Sequence, residues 1–248
     1  MNRDKYILNF TIGLLMGDGS YQINHWKKKY LQYRIVIKLK YHFSNIIMLQ
    51  KIRDHFKIGS IVVTKKYVLW AINDKKQVLY FLNLILSKWI FRISEKQYLK
   101  ALKMRYGIIN NISYSEYHYN EYINCWNFEL PRKLSIDSFC EEYKVWLSGF
   151  IEAGGCYCVR KNGNMSFSIA QTNNELSIKS IKEYFDLPNK IRKRKLEEGK
   201  EQFIIETYNK ESLLKIIEYQ NVYNLRGQKE ESFKLFKISF NKRNKCHV

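Results

Sequence analysis

The fold is decided by the stretch Ile12-Gly-Leu-Leu-Met-Gly-Asp-Gly-Ser-Tyr21, whose pattern returns as Ser148-Gly-Phe-Ile-Glu-Ala-Gly-Gly-Cys-Tyr157. One constant spacing relates Gly13 to Gly149, Gly19 to Gly155 and Tyr21 to Tyr157. A pattern that repeats at a long spacing indicates an internal duplication, in which each copy folds as one supersecondary unit. We therefore expect two similar halves.

The segments after the two motifs also correspond in kind and in order. Alternating residues predict a strand at 33–40 and at 165–171, and apolar residues at helical spacing predict helices at 45–56 and 174–185. Two strands follow in each half, at 60–64 and 67–72 and at 190–195 and 202–207. A helix capped by Asp74 or Asn209 comes next, and a last helix begins near Lys96 or Lys229. Each half therefore predicts the order α-β-β-α-β-β-α.

The duplication predicts an α+β fold of two pseudo-symmetric αββαββα repeats, each with an antiparallel sheet. We expect the first repeat at residues 1–109 and the second at residues 144–248. Residues 110–143 are rich in Asn, Ser, Tyr and Glu and contain Pro131, which is typical of a connecting segment.

The composition indicates a polyanionic partner. The 248 residues include 43 Lys and Arg against 23 Asp and Glu, a formal net charge of +20. Such an excess favours nucleic acid or an anionic membrane surface as a partner. A membrane span is not expected, because the longest apolar run, Val78 to Leu86, is far shorter than the roughly 20 residues a spanning helix needs. Aromatic residues make up 15% of the chain, which excludes a disordered basic tail.

Small residues in the two motifs predict that the motif helices pack closely together. Gly13 and Gly17 lie four residues apart in the first motif, as do Gly149 and Ala153 in the second. Small side chains on one helical face let two backbones approach each other. A glycine inside a helix costs roughly 1 kcal/mol relative to alanine, so its presence there needs such a reason.

Asp18 is expected at the C-terminal end of the first motif helix. Gly19 and its counterpart Gly155 predict that both helices end in the left-handed conformation. A carboxylate beside carbonyl oxygens that lack helical partners suits a hard divalent cation. The alternative is that Asp18 is a solvated end residue, since this end of a helix disfavours negative charge.

The segments Ile12 to Gly19 and Trp146-Leu-Ser-Gly-Phe-Ile-Glu-Ala-Gly-Gly155 resemble the signature helices of the double-motif LAGLIDADG homing endonucleases and intron maturases. The resemblance extends over nearly the whole chain. It implies a monomer whose two sheets form a saddle on the major groove of double-stranded DNA, with the signature helices at its centre. It also implies Mg²⁺-dependent hydrolysis of both strands at a long target site, where Ca²⁺ can bind without supporting cleavage.

The resemblance further implies roles for individual residues. Asp18 matches the family's metal-binding catalytic acid, and Gly17 and Ala153 match positions that offer backbone carbonyls to the metals. Gln171 matches a polar residue that orders water in the active site, and Lys40 is its approximate counterpart in the first repeat.

Two further lysines match catalytic positions of the family. Lys96 and Lys229 correspond to basic residues near the scissile phosphates, which can stabilise developing charge. In a chain this basic, the alternative for each is a solvated surface lysine.

Gly154 departs from the family pattern. It occupies the position of the second catalytic acid, and glycine has no side chain to bind a metal. Glu152 lies two residues earlier on the helix, so its side chain faces a different direction and cannot replace the missing acid. Three interpretations stay open: an introduced inactivating change, a natural endonuclease that nicks or only binds DNA, and a protein with an RNA role.

In the resembling family, the strands after each motif carry the residues that contact DNA. Polar and basic candidates in the corresponding segments are His25, Lys27, Arg34, Lys38, Lys65, Lys66, Arg160, Lys161, Asn162, Ser166, Ser168, Arg192 and Arg194. Side chains on strands can reach base edges, while other cations neutralise phosphates. Residues 190–195 form the densest basic segment, and strand alternation puts Arg192 and Arg194 on one face. The alternative for this segment is a solvated hairpin.

The sequence leaves three functions open. The first is a monomeric site-specific DNA endonuclease, with cleavage abolished or reduced to nicking because of Gly154. The second is a group I intron RNA maturase on the same fold, for which a missing acid matters less, and the third is a DNA-binding remnant. The abundance of Lys, Asn, Ile and Tyr is typical of AT-rich genomes and, together with the resemblance, indicates an organelle-encoded mitochondrial protein.

Overall fold

The first repeat has the predicted order of elements in a computed structural model that describes residues 2–119 and 139–245. It comprises α1 (Arg3–Asp18), β1 (Gly19–Trp26), β2 (Tyr30–Lys40), α2 (Phe43–Phe56), β3 (Ser60–Val63), β4 (Tyr67–Ile72), α3 (Lys75–Leu86), a 3₁₀ helix (Trp89–Ile93) and α4 (Glu95–Ile109). A short helix, α5 (Tyr114–Tyr119), follows. The predicted cap is confirmed, because the side chain of Asp74 accepts a hydrogen bond of 2.9 Å from the backbone N–H of Gln77.

The second repeat has the same order. It comprises α6 (Glu141–Gly154), β5 (Gly155–Val159), β6 (Met165–Thr172), α7 (Glu175–Tyr184), β7 (Arg192–Lys195), a 3₁₀ turn (Glu197–Gly199), β8 (Glu201–Thr207), α8 (Lys210–Val222) and α9 (Lys229–Lys245). Asn209 caps α8, as predicted, by accepting a hydrogen bond of 3.1 Å from the backbone N–H of Ser212. The connecting segment lies largely outside the described residues, and the three-part division stays a prediction.

Each repeat contains an antiparallel sheet, with strand orders β1-β2-β4-β3 and β5-β6-β8-β7. The registers correspond, since Gly19 pairs with Ile37 and Gly155 pairs with Ile169. One face of each sheet packs against the helices, as the buried side chains of Ile35 and Phe167 show. The other face of each sheet carries mostly polar side chains, and we call it the outer face. The α+β fold with two pseudo-symmetric halves is thus confirmed.

The motif helices α1 and α6 pack against each other without intervening side chains. A Cβ atom added to Gly13 would lie 2.0 Å from the carbonyl oxygen of Trp146, and one added to Gly149 would lie 2.0 Å from that of Phe10. Gly17 likewise faces the methyl group of Ala153, 2.2 Å from the added Cβ. The predicted helix pairing through small residues is therefore confirmed.

The predicted left-handed ends of these two helices are wrong. Gly19 has φ −85° and ψ 159°, so it is extended, and Gly155 is also extended. Each helix runs directly into a strand, which an extended residue permits and a left-handed residue does not. A Cβ atom on Gly19 would lie 2.2 Å from the carbonyl oxygen of Leu15, which accounts for the glycine.

The core runs through both repeats and surrounds the helix pair. Phe10, Trp146 and Phe150 are among its largest fully buried side chains. The indole N–H of Trp146 donates to the sulfur of Met16 at 3.2 Å, which links the two motif helices. Within the described residues, no helix is both long and apolar enough to cross a bilayer.

Candidate active site and nucleic-acid interface

Asp18 is the last residue of α1 and lies where the two repeats meet, a region that we call the seam. Its side chain is exposed to solvent, but neighbouring protein atoms still displace part of the water around the carboxylate. This partial burial raises the pKa of Asp18 to about 6, and the positive charge of Lys229 opposes the rise. A cation in addition to Lys229 would further stabilise the ionised form of this carboxylate.

Gly154, the counterpart of Asp18 in α6, leaves room for a Cβ atom. An added Cβ atom would lie 3.4 Å from the carbonyl oxygen of Ala170 and 3.7 Å from the Ile169 side chain, which are ordinary van der Waals distances. The close helix contact at Gly149 forbids a side chain, whereas the position of Gly154 does not. Steric packing therefore does not explain the missing acid.

Glu152 does not replace the missing acid, as the sequence predicts, and instead holds the loop at residues 226–229, which we call the lysine loop. Its buried carboxylate accepts hydrogen bonds from the backbone N–H groups of Arg226 (3.0 Å), Gly227 (2.9 Å) and Lys229 (3.1 Å). Burial raises the pKa of Glu152, and these three bonds oppose the rise. The carboxylate thus acts as the anchor of a loop.

The lysine loop is also held from the first repeat. The side-chain oxygen of Asn45 in α2 accepts a hydrogen bond of 2.9 Å from the backbone N–H of Gln228. A Cβ atom on Gly227 would lie 2.5 Å from this oxygen and 2.7 Å from the Glu152 carboxylate, so a larger residue would displace these two acceptors. Lys229 is thereby directed into the seam, where its Nζ donates to the carbonyl oxygen of Gly155.

Two amides converge on one carbonyl at the end of α1. The side-chain N–H groups of Gln171 and Gln97 each donate to the carbonyl oxygen of Met16 at 2.9 Å. This carbonyl belongs to the last turn of the helix and therefore lacks a helical partner. Gln171 lies at the seam, as expected, and Gln97 is a seam residue that the sequence reasoning missed.

Lys40 is not the counterpart of Gln171. Because Ile37 and Ile169 occupy equivalent positions in the sheet register, the counterpart of Gln171 is Leu39. Leu39 is buried, whereas Lys40 is exposed on the other face of β2. A shift of one residue reverses the face of a strand, and this explains the error.

Lys96 is displaced by one residue from the counterpart of Lys229. The buried residues of α4 and α9 match in spacing, with Ala101, Met104 and Ile108 corresponding to Phe233, Phe236 and Phe240. This match makes Gln97 the equivalent of Lys229. Lys96 nevertheless lines a cavity at the seam together with Gln97 and Gln171.

The outer face of the second sheet carries an arginine cluster. Arg192 and Arg194 lie on one face of β7, as predicted, because they pair with Ile204 and Gln202 of β8. Arg192 donates to the carboxylate of Glu206 at 2.6 Å, and Arg160 approaches the same carboxylate at 3.9 Å. Lys161 and Asn162 lie in the exposed turn between β5 and β6.

The outer face of the first sheet combines cations with a small apolar cluster. The side chains of Arg34 and Lys38 project from β2, and the Nζ atom of Lys38 lies 4.1 Å from the ring centre of Tyr67. Val36, Leu69 and Ala71 form the cluster beneath them. Lys65 and Lys66 are exposed in the turn between β3 and β4.

Four candidate DNA contacts are not placed on the outer face as expected or are covered there, although His25 and Lys27 are exposed. His25 lies on the face of β1 that carries the buried Tyr21. The centre of its ring lies 4.8 Å from the centre of the Tyr114 ring. Lys27 lies in the following turn with φ 48°, where the strand alternation has ended. Ser166 is only 3% exposed, and Ser168 is half-buried. On β1, the alternation instead places Gln22 and Asn24 on the outer face.

The seam can supply few metal ligands from side chains. In residues 2–119 and 139–245, no group of three or more His, Cys, Asp or Glu side chains is arranged to hold a metal. Mg²⁺ commonly binds to one or two carboxylates, with water and phosphate oxygens completing its shell. The carboxylate of Asp18, whose pKa is raised, fits such a site. Because Gly154 has no carboxylate, the seam offers this ligand on one side only.

The sequence pattern that defines the LAGLIDADG endonucleases matches residues 11–104 and again residues 147–240. A probable intron-encoded endonuclease aI3 from Dictyostelium citrinum is 33% identical over 94% of this chain and 95% of that protein. The protein of the same name from Debaryomyces hansenii is 29% identical over 95% of this chain and 38% of that protein.

Solved structures share the fold. The LAGLIDADG meganuclease I-AabMI, bound to uncleaved DNA, aligns with a TM-score of 0.67 over 97% of this chain and 93% of that chain, at 20% identity. I-SmaMI, bound to an uncleaved DNA target in the presence of calcium ions, aligns with a TM-score of 0.62 at 16% identity, over 97% of this chain and 92% of that chain.

Proposed function

The chain belongs to the LAGLIDADG endonuclease family, and we propose that it binds a long double-stranded DNA site as a monomer and nicks one strand. One observation carries this proposal: the seam has a carboxylate at Asp18 and none at Gly154. Because each repeat contributes one signature helix, a single chain supplies both halves of the site.

DNA binding is supported by the charge and placement of the outer faces. Arg34 and Lys38 project from the first sheet, and Arg192 and Arg194 project from the second. The formal net charge of +20 supplies the general attraction to phosphates. Contacts from strands are suited to the major groove, where base pairs can be distinguished.

Catalysis is proposed to centre on Asp18 and Lys229. Asp18 and the carbonyl groups of Gly17 and Ala153 would hold Mg²⁺ together with phosphate oxygens of the DNA, while Ca²⁺ would bind without supporting cleavage. When bound, such a metal polarises the phosphate and lowers the pKa of a water molecule. Lys229, directed by the lysine loop, stabilises negative charge that develops on the phosphate. Gln171 orders water beside it.

A plasmid assay tests this proposal. Supercoiled DNA that carries the joined flanking exons of the host gene is incubated with Mg²⁺ and one of three proteins. These are the unchanged protein, the Asp18→Asn variant and the Gly154→Glu variant. The unchanged protein is expected to produce open circles. Gly154→Glu is expected to produce linear DNA, because it restores an acid at a position where a Cβ atom meets no clash. Asp18→Asn is expected to leave the plasmid supercoiled.

Gln50→Glu is a matched control, since it adds one carboxylate on the exposed side of α2. It should behave as the unchanged protein does. Linear product from the unchanged protein would contradict the proposal, because two strands would then be cut with one acid. Open circles from Asp18→Asn would also contradict it.

A second candidate function is that of a group I intron maturase, and Gly154 favours it, because splicing does not need the second acid. Tight binding of intron RNA, with no nicking by the protein or by Gly154→Glu, would support this candidate.

A mitochondrial location is proposed from the intron-encoded relatives and from a mitochondrial relative. The latter, the uncharacterized mitochondrial protein RF1 of Saccharomyces cerevisiae, is 26% identical over 71% of this chain and 38% of that protein.

A further inference from the structure

Glu206 of β8 lies on the outer face of the second sheet, and its carboxylate is shared by three side chains. One oxygen accepts the 2.6 Å hydrogen bond from Arg192, and the other lies 3.9 Å from the guanidinium group of Arg160. The hydroxyl group of Tyr208 also donates to this carboxylate, and the bond raises the pKa of Tyr208. We call Arg160, Arg192, Glu206 and Tyr208 the Glu206 cluster.

A carboxylate at this place is by itself unfavourable for binding DNA. Phosphates repel it, whereas the net charge of +20 on the chain attracts them. The side chain of Glu206 is only 16% exposed, whereas those of Arg192 and Arg160 are 62% and 52% exposed. DNA that approaches this face therefore meets the arginines first, and Glu206 can contribute to binding only through them.

The contacts of the Glu206 cluster restrict the orientation of both arginines. Arg192 is held by its hydrogen bond, and the guanidinium carbon of Arg160 lies 5.9 Å from the ring centre of Tyr208. A guanidinium group has five N–H donors, so one bond to a carboxylate leaves donors for a base. Arginine bound to the O6 and N7 acceptors of guanine is the commonest specific contact in the major groove. A phosphate contact depends on charge, which Glu206 reduces, whereas a guanine contact depends on orientation, which Glu206 supplies.

The equivalent positions of the first repeat have a different chemistry. The sheet registers make Ala71 the counterpart of Glu206 and Val62 the counterpart of Arg192. The side chains of Ala71 and Val62 neither donate nor accept hydrogen bonds. The two halves of a bound DNA site would therefore face different side chains at these positions.

We propose that Glu206 is a positioning residue that orients Arg192 and Arg160 to hydrogen-bond guanine in the half of the DNA site that the second repeat binds. This inference rests on the proposed function and names a base that one half-site requires. Arg192, which is bonded directly to Glu206, makes the main contact with guanine. The first repeat, with Ala71 and Val62 at the equivalent positions, imposes no such requirement on its own half-site.

Replacement of single guanines in the target duplex tests this inference. Each guanine of a duplex that spans the joined exons is exchanged in turn for 7-deazaguanine, which keeps the base pair and lacks the N7 acceptor. Affinity is measured by fluorescence anisotropy with EDTA present, so that the DNA stays uncut. Discrimination by one bidentate arginine contact is roughly 5- to 150-fold. We expect the unchanged protein to lose about fivefold or more in affinity at one or two guanines, all in the same half of the site.

Two variants connect this loss to the Glu206 cluster. Arg192→Ala should bind the intact target more weakly and show no further loss at these guanines. Glu206→Gln should show a smaller loss there than the unchanged protein does. Its affinity for a scrambled duplex should rise, because one negative charge has been removed from the outer face. A merely structural role of Glu206 would not produce this opposite change.

Glu201→Gln is the matched control for Glu206→Gln. Glu201 lies on the same strand and forms an ion pair of 2.8 Å with Lys193 of β7, but strand alternation places it on the opposite face of the sheet. Lys210→Ala controls for the loss of a cation, because Lys210 is exposed at the start of α8. Both controls should keep the guanine losses of the unchanged protein.

Several results would overturn the inference. Equal guanine losses in Glu206→Gln and in the unchanged protein would contradict the positioning role. Guanine losses that persist in Arg192→Ala would contradict the base contact, and this variant keeps the test valid if Glu206→Gln folds poorly. A protein that prefers the target over a scrambled duplex without any sensitive guanine would overturn the inference alone. Failure to prefer the target would overturn the proposed function as well.

Discussion

Replacing Gly149 with alanine tests the contact between the signature helices. The added Cβ atom would lie 2.0 Å from the carbonyl oxygen of Phe10 and 3.0 Å from the backbone nitrogen of Leu14. Both atoms belong to the backbone of α1, so no side-chain rotation relieves the overlap and the two helices must separate. Overpacking usually costs about 1–3 kcal/mol, and a collision with backbone belongs at the upper end of that range.

The gain in helix propensity on replacing glycine, about 1 kcal/mol, offsets part of this cost. We therefore expect Gly149→Ala to destabilise the protein by about 2 kcal/mol or more. For a chain of this size, each kcal/mol lowers the melting temperature by about 2–4 °C, so the expected decrease is roughly 4–8 °C.

Gly154→Ala is the matched comparison, because it makes the same change in the same helix. Its nearest neighbour would lie 3.4 Å away, so we expect an unchanged or slightly higher melting temperature. Thermal unfolding followed by circular dichroism measures both variants. Equal melting temperatures for the two variants, or stabilisation by Gly149→Ala, would refute the assignment of close packing to Gly149.

Three further predictions concern the seam and the outer face. The pKa of Asp18 is about 6 in the folded protein and near 3.8 when unfolded, so its ionisation opposes folding as the pH rises through this window. Asp18→Asn should therefore raise the melting temperature above pH 6 and leave it unchanged below pH 4, and a pH-independent effect would contradict this. Glu152→Ala should lower the free energy of unfolding in urea by about 3 kcal/mol, because it leaves three backbone N–H groups of the lysine loop without an acceptor. An unchanged free energy of unfolding would contradict the anchoring role of Glu152. Arg194→Ala should lower the slope of log DNA affinity against log salt by about 0.9 if it contacts a phosphate, whereas Lys210→Ala should not; equal slopes would remove Arg194 from the interface.

Much of the fold could be predicted from the sequence because its signals are local. The caps Asp74 and Asn209 act within one helical turn, and the four-residue spacing of Gly13 and Gly17 depends only on helical periodicity. The two motifs also identify the seam, because equivalent helix ends must meet near a pseudo-two-fold axis. These features need no knowledge of distant contacts.

Other features depended on register and on distant partners. The sequence predicts Lys40 and the structure places Leu39, because a one-residue shift in a strand is not visible in an alternating pattern and reverses the side-chain direction. Gly19 satisfied the pattern of a helix terminator, yet the chain enters β1 directly and needs glycine for its contact with Leu15. Glu152 finds its three donors in a loop more than seventy residues away, so its role has no local signal.

The most direct test of the account follows each DNA strand separately. A target duplex labelled at the 5′ end of one strand or the other is incubated with Mg²⁺ and the protein, and the products are resolved under denaturing conditions. We predict cleavage of one strand only, abolished by Asp18→Asn and extended to both strands by Gly154→Glu. Cleavage of both strands by the unchanged protein, or of either strand by Asp18→Asn, would contradict a seam with one working acid.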